Sequence, residues 1–466
     1  MDDLLVEIRE LFAAPLEETR LADFSTRLQA EYKTSLLASR QSMLPSYQHT
    51  LPTGNEHGDF LALDAGGSTF RIALIRLAEK KHDGDGMEVR RVRSFCIDET
   101  VRKLSGTELF DWFASRIGEM LAEYNHMSGT TDAHLQMGLA WSFPIEQTSL
   151  RTGRLLAMGK GFRAAHELEG KDLGDLIMNA CHARGLNVDL RAIVNDSSAT
   201  LLSQAYRDPS TCMSLILGTG VNAAAFLPTT ALGADKFGER PASWHAAAKR
   251  VVVNTELSMF GRHVLPTTRW DEDLNAQHLL PDYQPLEYLA TGMYLGEIVR
   301  LILLEAIPTA GLFDGQIPDH FDTPYALETR ILAALESDDT PELRDARAAF
   351  LSAHPLRSAP KRRDLEFMRA VARLVSRRAA AYLATALHAL WAVRTSAEGV
   401  RAEDSSAVTI ACDGSMVEKY PGFRQRMQKH LDALCVVSGA KEGAVVLQVV
   451  PESSILGAAV AASCND

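Results

Sequence analysis

Apolar and polar positions along the chain follow two kinds of pattern. In two segments, Phe60–Leu77 and Ser214–Phe226, an apolar strand, a Gly-containing turn and a second apolar strand follow one another, and each segment predicts a β-hairpin. Shorter apolar runs at Met137–Phe143, Leu190–Val194 and Ala407–Ala411 predict further strands. The pattern thus indicates several buried strands that end at polar or Gly-rich positions.

Between these strands, apolar residues recur at helical spacing. The predicted helices cover residues 1–45, Thr107–Tyr124, Asp172–Arg184, Leu286–Glu305, Glu366–Arg394 and Ile455–Ala462. Strands that alternate with helices indicate the α/β class. The hairpin turns at Gly66 and Gly218 lie 152 residues apart, and this repetition predicts a duplicated architecture.

Two charged regions are predicted to lie on the surface. Residues 324–363 are rich in charge and weakly patterned. A run of basic residues begins inside this region and indicates a solvated helix face. Its members are Lys361, Arg362, Arg363, Arg369, Arg373, Arg377 and Arg378.

Composition limits the classes of protein that fit. The chain has 466 residues, 46% of them hydrophobic and 23% charged, with a formal net charge of −12. These values are typical of a globular protein of two to three domains and argue against nucleic acid or an anionic membrane as a partner. Six scattered cysteines form no two-residue spacing, and no apolar run reaches 18 residues. With no signal-peptide pattern at the first residues, we expect a cytoplasmic protein without a membrane span.

Chemistry is concentrated where four predicted strands end. The polar steps there are Asp64-Ala65-Gly66-Gly67, Asn195-Asp196, Gly218-Thr219-Gly220 and Asp413-Gly414-Ser415. Ligands of α/β sheets bind at the carboxyl ends of strands, and Gly-rich turns expose N–H groups to phosphate oxygens. Each step alone is most often an ordinary turn. Their joint occurrence predicts a nucleoside triphosphate held between two domains.

Polar side chains around these turns suit the same ligand. Ser68, Thr219 and Ser415 add hydroxyl donors, and Arg71 adds a charge that matches phosphate. Asp64 is a candidate to hold Mg²⁺ through water, because this ion prefers oxygen ligands.

Other nucleotide and hydrolase motifs fit poorly. The run GTGVNA at 218–223 imitates a dinucleotide fingerprint, but Pro228 ends the apolar run that follows, so the motif does not open a helix. GxxxxGK[ST], GxSxG and HExxH are absent from the sequence. A Walker-type ATPase, an α/β-hydrolase and a zinc protease therefore lose support.

Seven segments, in this order, resemble the hexokinase family of sugar kinases over roughly residues 20–464. They are LALDAGGSTFR, SFPIEQTSLRTGRLLAMGKGF, VNDSSATLL, LGTGVNAAAF, VVNTELSMFG, LEYLATGMYLGEIVRLIL and DGSMVEKYPGFRQRM. The resemblance implies a two-domain actin-like (ribonuclease-H-like) fold that closes on sugar and ATP, with Mg²⁺, as a monomer or homodimer. It further implies a helical segment 1–58 packed on the large domain, a small domain 59–194, a large domain 195–452 and a helix 453–466 that returns to the small domain.

The resemblance also implies roles for individual residues. Asp196 matches the base that takes the proton of the sugar 6-hydroxyl, and Lys160 and Arg71 match further catalytic positions. The matched sugar ligands are Ser142, Gly159, Lys160, Asn195, Asp196, Asn222, Glu256 and Glu287. The matched ATP ligands are Asp64, Gly66, Gly67, Ser68, Thr69, Arg71, Gly218, Thr219, Gly220, Asp413, Gly414 and Ser415.

Several positions depart from the family pattern, and the departures resemble the fungal N-acetylglucosamine kinase branch. This chain has Ser68-Thr69 where the family has Thr-Asn, and Gly159 where the family has a threonine before the lysine. It has Leu257-Ser258-Met259 in place of Trp-Gly-Ala, and Ser453–Gly457 in place of GSGKG. Less bulk at 159 and 257 favours N-acetylglucosamine as the sugar. A glucose/fructose hexokinase and a non-catalytic sugar sensor are the alternatives.

Overall fold

The computed structural model describes residues 1–78, 86–156, 162–163 and 167–464. Its strands are β1 (Leu44–Pro45), β2 (Gly58–Ala65), β3 (Thr69–Leu77), β4 (Met87–Cys96), β5 (Leu135–Trp141), β6 (Ile145–Gln147), β7 (Gly153–Leu155), β8 (Val188–Val194), β9 (Thr211–Leu217), β10 (Val221–Pro228), β11 (Arg250–Asn254), β12 (Val408–Asp413) and β13 (Val445–Val449).

Two sheets of the same topology organise the chain. One sheet has the order β4-β3-β2-β5-β8 and the other has the order β1-β11-β10-β9-β12-β13. In each sheet, one strand of a hairpin also pairs with a third, antiparallel strand. The other strand of the hairpin pairs with a parallel strand, and a second parallel strand follows it. Both predicted hairpins are present, as β2–β3 and β9–β10. The predicted α/β class and the duplicated architecture are therefore confirmed.

Helices cover the faces of both sheets. They are Asp2–Ala13, Glu18–Ala38, Glu99–Arg102, Glu108–Ser128, Leu173–Ala183, Asp196–Arg207, Ala242–Ala247, Arg269–Gln277, Pro285–Ala290, Gly292–Ala310, Thr329–Ser337, Arg344–Ala353, Arg362–Ala397, Ser415–Lys419, Phe423–Val437 and Ser453–Ser463. Short 3₁₀ turns lie at Ala14–Leu16, Thr229–Ala231, Ala234–Phe237, Leu257–Met259, Leu312–Gly315, Pro341–Leu343 and Ala402–Asp404. Within the described ranges, no helix is both long and apolar enough to cross a bilayer.

The helix predicted at 1–45 is two helices, Asp2–Ala13 and Glu18–Ala38, separated by a turn that contains Pro15 and followed by β1. The sequence prediction of the other elements needs two corrections. The helix predicted at 286–305 is two helices, because Thr291 takes extended backbone angles between Pro285–Ala290 and Gly292–Ala310. The region 324–363 is not simply surface: it forms two helices whose apolar residues, such as Leu335 and Phe350, are buried in the larger core. Short helices with few apolar residues show little periodicity, and this explains the second error.

One face of the five-stranded sheet is covered by the helix Ser453–Ser463. This helix packs against β2, β5 and β8 and against the helix Asp196–Arg207. The helix Ser453–Ser463 lies close to both of these surfaces because small residues line the contacts. A Cβ on Gly138 would lie 1.8 Å from the carbonyl oxygen of Ala458, and one on Gly457 would lie 1.9 Å from that of Ala199. The helix Asp196–Arg207 and the sheet are thus held together by the helix Ser453–Ser463.

The basic face predicted on the long helix Arg362–Ala397 is wrong at one position. The side chain of Arg378 is 1% exposed and donates two hydrogen bonds to Asp271, at 2.6 and 2.7 Å. The guanidinium also lies over the ring of Phe12, 4.3 Å from its centroid. Arg378 therefore anchors the N-terminal helix and the helix Arg269–Gln277 to the long helix, while Arg377 beside it is exposed.

A buried histidine on the same long helix is expected to make stability depend on pH. His388 lies between the hydroxyls of Ser25, at 2.7 Å, and Ser438, at 2.9 Å, and burial lowers its pKa to about 4. The unfolded chain binds this proton from pH 6.5 downward, so stability is lost as the pH falls from 6.5 to 4. A shift of this size corresponds to about 3 kcal/mol of unfolding free energy.

We expect His388→Gln to flatten the pH dependence of unfolding in that window, measured by urea titration at several pH values. Exposed His126 is the control, and His126→Gln should leave the slope of the wild type. Equal slopes for His388→Gln and the wild type would contradict the assignment.

Candidate active site

The first Gly turn joins β2 to β3 and is held by backbone hydrogen bonds. Gly66 N–H donates to the Thr69 carbonyl at 3.0 Å, and Ile97 N–H donates to the Ser68 carbonyl at 2.8 Å. Arg102 donates to the Gly67 carbonyl at 3.1 Å. The residue that follows β4 and the helix Glu99–Arg102 therefore hold this turn in place. The sequence analysis did not predict this helix.

Asp64 and Arg71 lie opposite each other on this hairpin and form an ion pair. Arg71 Nε donates to Asp64 Oδ2 at 3.0 Å, and one of its terminal nitrogens contacts the same oxygen. Burial raises the pKa of Asp64, Arg71 opposes that rise, and the charge of Asp413 adds to it. The ends of β2 and β12, one from each sheet, thus lie within electrostatic reach of each other.

The second Gly turn, between β9 and β10, is tied to the start of the helix Gly292–Ala310. Gly292 N–H donates to the Gly218 carbonyl at 2.9 Å, and the Thr291 hydroxyl donates to the Thr219 carbonyl at 2.8 Å. Gly218 N–H also donates to the Gly220 carbonyl at 3.0 Å. Thr291 thus explains both the break in the predicted helix and the rigidity of this turn.

The third turn follows β12 and lies beside the second. A Cβ placed on Gly218 would lie 3.9 Å from Ser415 Oγ, in ordinary contact. Gly414 has φ +116° and begins the helix Ser415–Lys419; a side chain there would be strained and would meet the Leu217 carbonyl at 2.4 Å. Asp413 accepts hydrogen bonds from the backbone N–H of Ser453, at 3.1 Å, and from its hydroxyl.

Asn195 and Asp196 lie at the start of the helix Asp196–Arg207. Asn195 is the N-cap: its Oδ1 accepts from Ser197 N–H at 2.9 Å. Asp196 is the first helical residue, and its carboxylate accepts from the same N–H at 2.7 Å. The positive end of the helix and this hydrogen bond both stabilise the carboxylate form, as a base requires.

Two partly buried glutamates lie in the six-stranded half of the molecule, and one of them, Glu256, interacts electrostatically with Asp196. Burial raises the pKa of Glu256, the hydrogen bond from Asn254 at 2.7 Å opposes this, and the charge of Asp196 adds to it. Burial also raises the pKa of Glu287 to about 7, and the negative charge of Glu256 adds to this rise. A hydrogen bond from the N–H of Val221, at 3.0 Å, opposes the rise. Glu256 therefore lies within electrostatic reach of both Asp196 and Glu287.

A chain of amides orders this cluster. Asn222 Nδ2 donates to Asn254 Oδ1 at 2.9 Å, and Asn254 in turn donates to Glu256. Glu256 itself has φ +50°, in the left-handed region, immediately after β11. Sequence reasoning missed Asn254, although it ends the apolar run Val251–Val253 with a polar residue, which is the signal that identified the other strand ends.

The predicted residues fall into two connected groups. Asp196, Asn222, Glu256 and Glu287 form the carboxylate cluster, while Gly218–Gly220 and Asp413–Ser415 form paired turns. Glu287 connects the two groups, because a Cβ on Gly220 would lie 2.6 Å from its carboxylate oxygen. Ser142 follows β5, and its N–H donates to the Ala65 carbonyl at 3.2 Å beside the first turn. Gly159 and Lys160 lie outside the described residues.

The residues of the turns fit a nucleotide better than a metal held by protein alone. Backbone N–H groups, the hydroxyls of Thr219 and Ser415 and the space left at Gly414 suit phosphate oxygens. Among the residues with described positions, no cluster of three or more His, Cys, Asp or Glu forms a metal site. Mg²⁺ normally keeps several waters and reaches such sites with the phosphates, so Asp64 and Asp413 would hold it from the protein side.

Comparison with known proteins agrees with this geometry. Two family models described as hexokinase match residues 7–206 and 212–464. The rice protein "Hexokinase-1" (Oryza sativa subsp. japonica) is 32% identical over 472 residues, which cover 99% of this chain and 91% of that protein. The rat protein "Hexokinase-2" (Rattus norvegicus) is 30% identical over 429 residues, which cover 90% of this chain and 44% of that protein.

The solved structures that match support the same conclusion. A hexokinase from Schistosoma mansoni, solved with glucose, superposes with a TM-score of 0.79 at 28% identity and covers 99% of both chains. A second hexokinase structure gives a TM-score of 0.78 at 28% identity over the whole of both chains. The predicted actin-like, two-domain fold is confirmed. With both halves of the sequence matched by hexokinase models, the chain belongs to the hexokinase family.

Proposed function

We propose that this protein transfers the terminal phosphoryl group of ATP to the 6-hydroxyl of a hexose, with glucose as the preferred sugar, in a reducing cytoplasm. One observation carries the proposal: Asp196, a carboxylate at a helix start, lies within electrostatic reach of the partly buried Glu256, which in turn reaches Glu287 beside paired phosphate-type turns. Six free cysteines agree with a reducing compartment.

In the proposed reaction, Asp196 accepts the proton of the sugar hydroxyl as that oxygen attacks phosphorus. Its position at the helix start favours its carboxylate form, which a base requires. The other sugar hydroxyls would be held by Asn222, Glu256 and Glu287. Carboxylates accept hydrogen bonds and amides both accept and donate them, and their directions fix the orientation of the sugar ring. Fixing the acceptor oxygen in line with phosphorus is the main contribution of an enzyme to phosphoryl transfer.

The turns would hold the other reactant. The N–H groups of Gly218–Gly220 and the hydroxyl of Ser415 would bind phosphate oxygens, and Arg71 would face the transferred group from the opposite sheet. Mg²⁺, when bound with the nucleotide, neutralises charge on the phosphates. The carboxylates of Asp64 and Asp413 lie within electrostatic reach of each other, so together they would attract the ion.

The position of Leu257 in the structure changes which sugar we expect the protein to prefer. Leu257 is 0% exposed and belongs to the larger hydrophobic core, so its side chain packs inside rather than widening a sugar pocket. Gly159, the other basis for N-acetylglucosamine, is not described. The comparisons include a relative solved with glucose and give no support for the fungal branch.

The experiment is a comparison of kcat/KM for glucose, fructose and N-acetylglucosamine with ATP and Mg²⁺. We expect glucose to be preferred over N-acetylglucosamine by at least about tenfold, because the buried Leu257 adds no room for an acetyl group. A higher kcat/KM for N-acetylglucosamine would contradict the glucose proposal. Absence of turnover with every hexose would instead support the sugar-sensor alternative.

Sugar binding is also expected to draw the two halves of the molecule together. Closure assembles the ATP site and excludes water, which would otherwise compete as phosphoryl acceptor. Small-angle scattering should show a smaller radius of gyration on addition of glucose. The Glu256→Gln/Glu287→Gln variant, with a weakened sugar site, should show no such change, and an unchanged wild-type profile at saturating glucose would contradict closure.

A further inference from the structure

A buried carboxylate that is assigned to neither sugar nor ATP joins several helices. Glu336 belongs to the charged region 324–363, yet its side chain is only 4% exposed. Its Oε1 accepts hydrogen bonds from the hydroxyls of Tyr420, at 2.7 Å, and Ser376, at 2.5 Å. Its Oε2 accepts a hydrogen bond from Arg426 at 3.2 Å. The proposed reaction, as described so far, does not account for these contacts.

Tyr420 links Glu336 to the third Gly turn. The helix Ser415–Lys419 begins directly after Gly414, and Tyr420 follows its last residue. The Tyr420 side chain is buried, and its hydroxyl donates to Glu336. A helix of five residues is only about 7.5 Å long. The contact between Tyr420 and Glu336 therefore limits how far Ser415, at the other end of this helix, can move.

The helix that carries Glu336, Thr329–Ser337, is tied to the second Gly turn at its first residue. The hydroxyl of Thr329 donates to the Gly292 carbonyl at 2.5 Å, and Gly292 N–H donates to the Gly218 carbonyl at 2.9 Å. Glu336 lies near the other end of the same helix. This one helix therefore connects the second turn at its start with the third turn, through Glu336, near its end.

The chemistry of the Glu336 contacts favours positioning over simple packing. A buried carboxylate is costly unless it is paired, and the guanidinium of Arg426 supplies the opposite charge. The hydroxyls of Ser376 and Tyr420 satisfy the other oxygen. An apolar side chain of similar size would fill the same space, but only directed hydrogen bonds fix where the Tyr420 hydroxyl lies. Glu336 therefore sets the position of Tyr420 as well as filling space.

We propose that Glu336 is a positioning residue for nucleotide binding. Through Tyr420, it holds the turn Asp413–Ser415 at a fixed distance from the turn Gly218–Gly220, so that one nucleotide contacts both turns. This inference rests on the proposed function, which assigns the two turns to ATP. A nucleotide that first had to bring the turns into place would bind more weakly, because part of its binding free energy would be spent on ordering them.

The test is calorimetric titration of the full-length protein with glucose and with AMP-PNP, a nonhydrolysable ATP analogue, in the presence of Mg²⁺. We expect Tyr420→Phe to weaken binding of AMP-PNP by at least about threefold, because one hydrogen bond to a charged group is lost, and to leave the glucose affinity unchanged. Ser376→Ala is the matched control. It removes a hydroxyl from the same carboxylate oxygen, but Ser376 lies on the helix Arg362–Ala397, which carries neither turn. This variant should bind both ligands like the wild type, whereas a merely structural role would give the two variants the same nucleotide affinity.

A second substitution tests whether Glu336 acts through Tyr420. Glu336→Gln keeps the size of the side chain but removes its charge, so it should also weaken binding of AMP-PNP. The double variant Glu336→Gln/Tyr420→Phe should bind no more weakly than Tyr420→Phe alone, because both changes act on one contact, and additive losses would contradict this route. Equal nucleotide affinities of Tyr420→Phe and the wild type would overturn the positioning role and leave the proposed function standing. A wild type that binds glucose but no nucleotide would overturn both.

Discussion

Replacement of Asp196 by alanine is expected to lower kcat by about 10²–10⁴-fold, the usual contribution of a general base. Asp196 is the residue whose carboxylate is stabilised by the start of its helix and by the N–H of Ser197. Glucose and ATP should still bind, because Asn222, the two glutamates and the turns that would hold them are unchanged. Steady-state kinetics and calorimetric titration of both substrates measure the two effects separately.

Two variants sharpen this experiment. Asp196→Asn keeps the size and the hydrogen-bonding capacity of the side chain but cannot accept the proton, so its kcat should fall almost as far. Asp111→Ala removes an exposed carboxylate on another helix and should keep the wild-type rate. Turnover close to that of the wild type in Asp196→Asn would show that another group takes the proton.

Replacement of Arg378 by methionine is expected to destabilise the protein by about 3–5 kcal/mol. The change leaves Asp271 buried without the cation that neutralises it, and an uncompensated buried charge is costly. Asp271 also accepts from Thr268 N–H and hydroxyl, so it cannot turn toward solvent without breaking the cap of its helix. Urea unfolding followed by circular dichroism measures the loss.

The neighbouring residue provides the control for Arg378. Arg377 lies on the same helix, but its side chain is exposed. Arg377→Met should change the unfolding free energy by no more than about 0.5 kcal/mol. A similar, small effect of both substitutions would show that the Arg378–Asp271 pair contributes little to stability.

The sequence was most informative where a local pattern coincides with a strand end. Both hairpins and the turns after β2, β9 and β12 were predicted because Gly and Asp interrupt apolar runs, and this signal is local. The resemblance then assigned the residues of the carboxylate cluster. Asn254 carried the same signal but was missed, because its strand β11 was not identified beforehand.

Features that depend on tertiary contacts could not be predicted. Arg378 has the same local pattern as its exposed neighbours, and only the position of Asp271, 107 residues earlier, buries it. The break at Thr291 depends on a hydrogen bond to the Thr219 carbonyl. Likewise, the burial of Leu257 depends on the fold of the larger core, which the sequence alone did not reveal.

The packing of the helix Ser453–Ser463 also determines when the five-stranded sheet can be fully covered during synthesis. The sheet face that this helix covers is built from strands that end by Val194, more than 250 residues earlier in the chain. Until the ribosome has delivered the last helix, that apolar face stays exposed, and so does the side of the Asp196 helix that contacts Gly457. Long-range contacts of this kind slow folding and leave intermediates open to aggregation. We therefore expect nascent chains that stop before residue 453 to bind chaperones, while chains that include residue 463 are released from them.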